Sequence, residues 1–274
     1  MSLSKTTTDL ALCLSFSVCL LIPCGLLAQE NVVESAERAT EQNLVAERQR
    51  DTEPSVVAEF ETDARKRWEP KIQELEALDR SEQHPADSVL FVGSSSIRLW
   101  VSIEEDMAPY HPIRRGYGGA RYSDLAVFAD RLISPHQCKA VVIFVANAVS
   151  GGKNDRTPEE VGLMVQNILR TTREQKKVTP VFLIEVTPTR ARFDSWNKIR
   201  EVNAAIREIC LTTPNTYFIA TAEHYLDSDK QPIEELFVDD RLHLNEAGYD
   251  LWSSLIKGRL ADVLGHECAA TAEE

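Results

Sequence analysis

The segment SVLFVGSSSIRLW, residues 88–100, joins a short apolar run to one glycine and three serines. The run at Ser88–Val92 has the length and the continuous apolar character of a strand that is buried on both faces of a sheet. Gly93 permits a tight turn, and the serines after it suit the beginning of a helix. The segment therefore predicts a strand that leads directly into a helix, the basic unit of an α/β protein.

The same alternation continues along the chain. Further buried-strand patterns lie at Ala140–Ala146, Pro180–Val186 and Tyr217–Ala220. Amphipathic helical patterns separate or follow them, at Tyr122–Ile133, Pro158–Glu174, Trp196–Ile209 and from Glu246 to about Leu264. Alternating strands and helices predict a three-layer, doubly wound (flavodoxin-like) parallel sheet flanked by helices, with right-handed crossovers. Ligands bind such sheets beyond the carboxyl ends of the strands, so we expect the functional residues there.

The N-terminus has the features of a signal peptide. Lys5 precedes an apolar run from Leu10 to Ala28, and a small residue stands where cleavage would occur. We interpret residues 1–28 as a signal peptide, which predicts an exported protein, periplasmic or extracellular, without stable membrane insertion after cleavage. An uncleaved membrane anchor is the main alternative, and a lipoprotein attached at Cys24 is a weaker one.

The remaining chain divides into three further parts. Residues 29–55 are acidic and lack aromatic side chains, which predicts a disordered tether. Residues 56–265 form the predicted globular domain, and residues 266–274 its flexible tail. The domain begins with a helical pattern over Val56–Leu78, in which Pro70 is expected to kink or split the helix.

Composition excludes several classes of protein. A chain of 274 residues is long enough for one sizeable domain with extensions, and 43 acidic against 30 basic residues give a net charge of -13. This charge has the wrong sign for a nucleic-acid partner. Beyond the signal segment, Cys138, Cys210 and Cys268 are widely spaced, which favours free thiols over a zinc site or a disulfide framework.

Two short segments carry candidate catalytic side chains. Ser95 follows the first predicted strand, where its hydroxyl would lie at the carboxyl edge of the sheet, although a serine there is ordinarily a helix cap. Asp240 precedes His243 by three residues, before the last predicted helix. A carboxylate so placed can orient an imidazole and leave its other nitrogen free to accept a hydroxyl proton. A surface histidine without a catalytic role is the alternative.

Together these segments resemble the SGNH (GDSL-type) hydrolases, from about Val89 to Leu255. The similar blocks are Gly-x-Ser after the first strand, a glycine block at residues 114–121, and Asp-x-x-His-Leu-x-x-x-Gly-Tyr from Asp240. Ser94 replaces the aspartate of the usual Gly-Asp-Ser. The resemblance implies that Ser95 is the nucleophile, with Ser96 as the alternative, and that Asp240 and His243 complete a catalytic triad.

The resemblance also implies donors for the oxyanion. Gly119 matches the glycine whose N–H serves, with Gly118 as the near alternative. The third block departs from the family, because FVANAVSGG at residues 144–152 replaces Gly-x-Asn-Asp. An ungapped match places Ala148 or Val149 at the asparagine position, whereas a shortening by one residue places Asn147 there. We prefer Asn147, which lies at the strand end, over Asn154 further along the loop.

The sequence thus predicts an exported serine esterase that hydrolyses carboxylic esters, including acetyl esters of carbohydrates, through an acyl-enzyme. Its partner would be a small-molecule or glycan ester. The chain has no His-Glu-x-x-His, P-loop or Gly-x-Gly-x-x-Gly motif, so we expect neither a metal nor a cofactor. A catalytically silent glycan-binding protein and an acyltransferase with the same triad are the alternatives. Arg190 and Arg192 are possible substrate contacts that we leave outside the predicted site.

Overall fold

The computed structural model describes residues 57–270, and the predicted signal peptide and tether lie outside them. Within this range, five parallel strands form one sheet in the order β2-β1-β3-β4-β5. The strands are β1 (Val89–Gly93), β2 (Pro112–Gly116), β3 (Ala140–Phe144), β4 (Val181–Ile184) and β5 (Thr216–Ile219). The helices are α1 (Ala58–Ser81), α2 (Ser95–Leu99), α3 (Ile103–Asp106), α4 (Tyr122–Ile133), α5 (Pro158–Gln175), α6 (Trp196–Thr212) and α7 (Glu246–Ala270).

Both faces of the sheet are covered by helices. One core cluster joins the sheet to α1, α4, α5 and α6, and a second joins it to α2, α3 and α7. The second cluster includes a connected group of aromatic side chains, in which Trp100, Tyr249 and Trp252 contact one another and Phe144 contacts Trp252. The strand order and the two helical layers confirm the predicted three-layer, flavodoxin-like fold.

The strand register places three strand ends side by side. Gly93, the last residue of β1, pairs with Gly116 at the end of β2 and with Phe144 at the end of β3. The segments that leave these strands therefore begin at one edge of the sheet. This edge is where the candidate catalytic residues were expected.

Strand β2 has no counterpart in the sequence prediction. It is an edge strand of sequence PIRRG, and its two arginines interrupt the apolar pattern that marks the other strands. Arg115 is nevertheless only 2% exposed, because its guanidinium binds Asp79 at 2.5 Å and Glu82 at 2.8 Å. Burial of a charge requires such partners, and pattern analysis cannot anticipate them.

Helix α1 continues through Pro70 as one helix, so the expected split is wrong. Contacts on both sides of Pro70 hold the helix in place. Ala64 and Ile72 are buried in the core, and Arg131 of α4 binds Glu69 on one side of the proline and Glu76 on the other.

The other element ends differ little from expectation. Helix α7 runs to Ala270, six residues past its expected end, so residues 266–270 belong to this helix.

Cys138 lies just before β3, and it and the buried Cys210 are free thiols. Burial raises the pKa of both thiols. Within residues 57–270, we find no helix with the length and apolar character needed to cross a membrane.

Candidate active site

Ser95 lies at the first turn after β1. Gly93 has φ +147°, and a β-carbon there would lie 1.9 Å from the carbonyl oxygen of Phe144, so the close approach of β1 and β3 requires glycine. The backbone N–H of Ser94 donates to that same carbonyl at 2.9 Å. Ser95 then opens α2 with its side chain half-buried, facing a cavity at the carboxyl edge of the sheet.

His243 lies in the loop that precedes α7. The loop is closed by a bridge between Phe237 and Leu244 and by the left-handed conformation of Arg241, whose φ is +54°. The hydroxyl of Tyr249 in α7 donates to the carbonyl of Ser96 at 2.8 Å, which ties α7 to the serine turn. The two ends of the domain are thereby brought together.

The structure joins Ser95, His243 and Asp240 in one chain of hydrogen bonds. His243 Nε2 lies 3.0 Å from Ser95 Oγ, and His243 Nδ1 lies 2.6 Å from Asp240 Oδ2. A carboxylate at Nδ1 favours the tautomer in which Nδ1 carries the proton, so that Nε2 accepts from the serine hydroxyl. This arrangement allows the imidazole to remove the serine proton.

The backbone holds Asp240 in its charged form. Its Oδ1 accepts from the backbone N–H groups of Leu242 and His243, each at 2.9 Å. Burial acts to raise the pKa of this carboxyl, but the hydrogen bonds from His243 and Leu242 outweigh it and lower the pKa below its usual value. Asp240 therefore remains a carboxylate throughout the neutral range.

The predicted glycines lie in the loop after β2. The N–H of Tyr117 donates to the carbonyl of Gly93 at 3.0 Å, which places this loop beside the serine turn. Gly119 has φ +77°, a backbone conformation that residues other than glycine rarely adopt. Gly118 and Gly119 are both partly exposed, and Trp68 of α1 lies against Gly119.

Asn147 lies three residues after β3 and lines the same cavity as Ser95 and His243. Its Nδ2 donates to the carbonyl of Ala120 at 2.9 Å, and its Oδ1 accepts from Arg192 Nη2 at 2.8 Å. The alternative candidates lie elsewhere. Ala148 and Val149 are buried in the core on the α1 side, and Asn154 is exposed.

Arg192 is a site residue that the sequence prediction left out. Its Nη1 donates to the carbonyl of Ala146 at 2.7 Å while Nη2 binds Asn147. A guanidinium is only a donor, so this bond fixes the amide with its oxygen toward Arg192 and its nitrogen away from it. Arg190, the other residue of that loop considered as a substrate contact, instead lies 3.7 Å from Glu234.

The cavity beside Ser95 is small and largely apolar. Its volume is about 30 Å³, which is room for roughly two water molecules. Its apolar walls are Phe144, Val186, Ile199, Phe237, Leu244 and Trp252. Among the described residues, no group of three or more histidine, cysteine or acidic side chains is placed to hold a metal ion.

Comparison with known proteins identifies the family. A model of the GDSL-like lipase/acylhydrolase family matches residues 87–251, more than half of the chain. The chain belongs to this family. The match confirms the resemblance that the serine, glycine and histidine blocks indicated.

Solved structures show the same GDSL-like fold at low sequence identity. A Streptococcus pneumonia protein named after platelet activating factor is 19% identical with a TM-score of 0.64, and the match covers 74% of this chain and 97% of that one. A GDSL-like lipase from Bacteroides thetaiotaomicron is 18% identical with a TM-score of 0.60, over 70% and 97% of the two chains. An acetyl esterase variant with an acetate ion is 17% identical with a TM-score of 0.51, over 66% and 99%. A search of curated proteins found no match.

Proposed function

We propose that this GDSL-like protein is a serine esterase with Ser95 as nucleophile, His243 as general base and Asp240 as the group that orients and stabilises the imidazolium. The observation that carries the proposal is the hydrogen-bonded series from Ser95 through His243 to Asp240, at 3.0 and 2.6 Å. Two consecutive bonds of this kind are what activation of a serine hydroxyl requires.

The reaction would proceed in two steps. His243 Nε2 takes the proton of Ser95 as Oγ attacks the ester carbonyl, and the same proton then passes to the departing alcohol. The carbon–oxygen bond to the alcohol breaks and an acyl-enzyme remains. Water, deprotonated by His243, attacks the acyl group and releases the acid, which restores the serine.

Three donors would stabilise the negative oxygen of each tetrahedral intermediate. The N–H of Ser95 lies in the first turn of α2, where backbone N–H groups have no partner within the helix. Gly119 would supply a second N–H and the amide of Asn147 a third. Asn147 Nδ2 carries two hydrogens and Ala120 accepts only one bond from it, which leaves one for the oxyanion.

The cavity supports a short acyl group. The cavity beside Ser95 is small, at about 30 Å³, and we propose that it receives an acetyl group. An acetyl esterase is among the solved structures with the same fold. We further propose that the protein is exported by residues 1–28 and acts on acetyl esters of carbohydrates.

Turnover of 4-nitrophenyl acetate tests the proposal. We expect the wild-type protein to release 4-nitrophenol, and Ser95→Ala and His243→Ala each to reduce kcat by about 10⁴-fold or more, because triad members act as a unit. Ser96→Ala is the matched control, since it removes the neighbouring hydroxyl and keeps the proposed nucleophile. Full activity of Ser95→Ala, with folding verified by circular dichroism, would end the assignment.

A further inference from the structure

Two guanidinium groups lie against the glycine pair that precedes α4. A β-carbon on Gly118 would lie 3.1 Å from Arg98 Nε and 3.6 Å from its Cζ. A β-carbon on Gly119 would lie 3.5 Å from the Trp68 ring and 3.9 Å from Arg67 Nη2. We call Arg67 and Arg98 the arginine pair.

Arg67 packs against an aromatic ring, and Arg98 lies on the helix that begins with Ser95. The guanidinium of Arg67 lies 4.8 Å from the centre of the Trp68 ring, and Trp68 contacts Tyr117 edge-on at 5.3 Å. Arg98 lies one turn after Ser95 on α2. Both arginine side chains are exposed, so their charges are accessible to a ligand.

Neither arginine has an anionic partner within residues 57–270, where no carboxylate oxygen lies within 4.0 Å of either. Arginines elsewhere on the same helical layer are paired, such as Arg65 with Glu61 and Arg131 with Glu76. The chain as a whole has 43 acidic residues for 30 basic ones. The chain therefore has enough carboxylates to pair with Arg67 and Arg98, yet both guanidinium groups beside the proposed nucleophile are unpaired among the described residues.

The buried Asp124 forms no ion pair with Arg67 or Arg98 among residues 57–270. It accepts a hydrogen bond from the backbone N–H of Arg121 at 3.0 Å. Burial raises the pKa of this carboxyl, and the charges of Arg67 and Arg121 act in the opposite direction. The charge of Arg67 is therefore only partly offset, and that of Arg98 has no ion-pair partner in the described part of the chain.

The arginine pair also lies outside the acyl cavity. That cavity is lined by Ser95, Asn147, His243 and Arg192 together with mostly apolar side chains, and neither Arg67 nor Arg98 lines it. The guanidinium of Arg192 is already bound to Ala146 and Asn147. An ester with its carbonyl at Ser95 and its acyl group in the cavity would leave its alcohol part outside. The strand register and the bond from Tyr117 N–H to the Gly93 carbonyl place the loop containing Gly118 and Gly119 beside the serine turn.

We infer that the substrate carries an anionic group, a carboxylate in the first instance, on the alcohol side of the ester, and that Arg67 and Arg98 bind it. The inference rests on the proposed esterase function and adds the charge of the substrate to it. Guanidinium groups bind carboxylates with paired, charge-assisted hydrogen bonds. The ring of Trp68 would pack against the apolar part of the same alcohol.

The recognising helix lies outside the region that defines the family. The family match begins at residue 87, whereas Arg67 and Trp68 belong to α1, which ends at Ser81. Helix α1 would thus add a charge preference to a catalytic centre built from the family's own segments. Arg98 is the member of the pair that lies within the matched region.

A pair of acetyl esters of equal size tests the inference. The substrates are 4-acetoxybenzoate, which is anionic at neutral pH, and 4-acetoxybenzamide, which is neutral. The measured quantity is the ratio of kcat/KM for the two substrates within each variant, divided by the ratio of their uncatalysed hydrolysis rates in the same buffer. In the wild type we expect a ratio of about ten in favour of the carboxylate at low salt, falling as sodium chloride is raised.

Arg67→Gln and Arg98→Gln should each lower that ratio several-fold, and the double variant should bring it to about one. Arg207→Gln is the matched control, because it removes an exposed arginine from α6 and should keep the wild-type ratio. A wild-type ratio near one, or a ratio that the double variant leaves unchanged, would overturn the inference.

Failure of the proposed function gives a different result. If the wild type hydrolyses neither these esters nor 4-nitrophenyl acetate, the esterase proposal fails and the inference fails with it. If 4-nitrophenyl acetate is hydrolysed but the benzoate is not, only the anionic-substrate inference is wrong.

Discussion

Among single residues, Asn147 and Arg192 are joined by a hydrogen bond between their side chains. The amide of Asn147 is bound at its oxygen by Arg192 and at its nitrogen by the carbonyl of Ala120. Arg192 also binds the carbonyl of Ala146, so it contacts two consecutive residues of the turn after β3. If Asn147 is an oxyanion donor, as proposed, Arg192 is a positioning residue that acts through it.

Changes at this unit should affect kcat more than KM. Asn147→Asp keeps the shape of the side chain but removes its donor, and loss of one oxyanion donor costs about 2.7–4 kcal/mol of transition-state stabilisation. We expect kcat for 4-nitrophenyl acetate to fall by about 10²–10³-fold with little change in KM. Arg192→Lys should give a smaller fall, about tenfold, by loosening the amide.

The alternative for Asn147 is a structural role alone. In that case the Asn147→Asp variant would keep its kcat while losing thermal stability. Steady-state kinetics and thermal unfolding of the same preparations separate the two roles, and an unchanged kcat would exclude Asn147 from the oxyanion site.

At the level of elements, β2 is the strand whose position depends on a buried ion pair. Arg115 is 2% exposed and binds Asp79 and Glu82 near the end of α1. His136, also buried, lies 3.3 Å from the same Asp79 oxygen. The contact fixes α1 to the edge of the sheet, and with it the position of Trp68 against Gly119.

Removing one partner of this pair should destabilise the domain. We expect Arg115→Met to lower the free energy of unfolding by about 3 kcal/mol, because it leaves the Asp79 carboxylate without its main partner. Adding Asp79→Asn should recover part of that loss. The same change at an exposed pair, Arg170→Met, should cost less than about 0.5 kcal/mol. Denaturant unfolding measures all three, and equal effects at Arg115 and Arg170 would contradict this account.

These examples show why the sequence predicts some elements and not others. Continuous apolar runs predicted β1, β3, β4 and β5, because a strand buried on both faces leaves a simple pattern. Strand β2 leaves no such pattern, since its burial depends on acidic residues more than thirty positions away. Pro70 likewise predicts a break in the helix when the local sequence is considered alone. The helix continues, and Arg131 of another helix binds it on both sides of the proline.

In the candidate site, too, local sequence patterns predict some residues, whereas others depend on tertiary contacts. Ser95, Gly119, Asp240 and His243 stand in segments that resemble the family, and that resemblance selected them. Asn147 stands in a block that departs from the family and was preferred for its position at the end of a strand. Arg192 was considered only as a possible substrate contact, and Arg67 and Trp68 stand in no such segment. Only the folded chain shows what these three residues contact. Sequence patterns can identify chemically reactive groups, whereas the residues that orient them or select the substrate depend on tertiary contacts.

At the scale of the whole molecule, one sheet separates two cores. Trp68 and Trp196 pack on the α1 side, whereas Trp100 and Trp252 pack on the α7 side. Both cores pack against the same five-stranded sheet. Loss of packing on one face would therefore expose the strands that support the other face to water. The two faces should therefore unfold together.

Tryptophan fluorescence can follow each face separately. A variant with Trp100→Phe and Trp252→Phe reports on the α1 side, and one with Trp68→Phe and Trp196→Phe reports on the α7 side. Within each variant, we expect the fluorescence transition in urea to coincide with that from far-ultraviolet circular dichroism, as two-state unfolding requires. Separate midpoints for the two signals would show that the layers are independent.

The central claim is that the fold brings an activated serine and its base together from positions 148 residues apart. Labelling with a fluorophosphonate, followed by peptide mass spectrometry, tests it most directly, because only an activated serine reacts. We predict a single phosphonylated peptide modified at Ser95 in the wild type, and no labelling of His243→Ala under the same conditions. An unlabelled wild-type protein, or a label at another serine with Ser95 unmodified, would contradict the account.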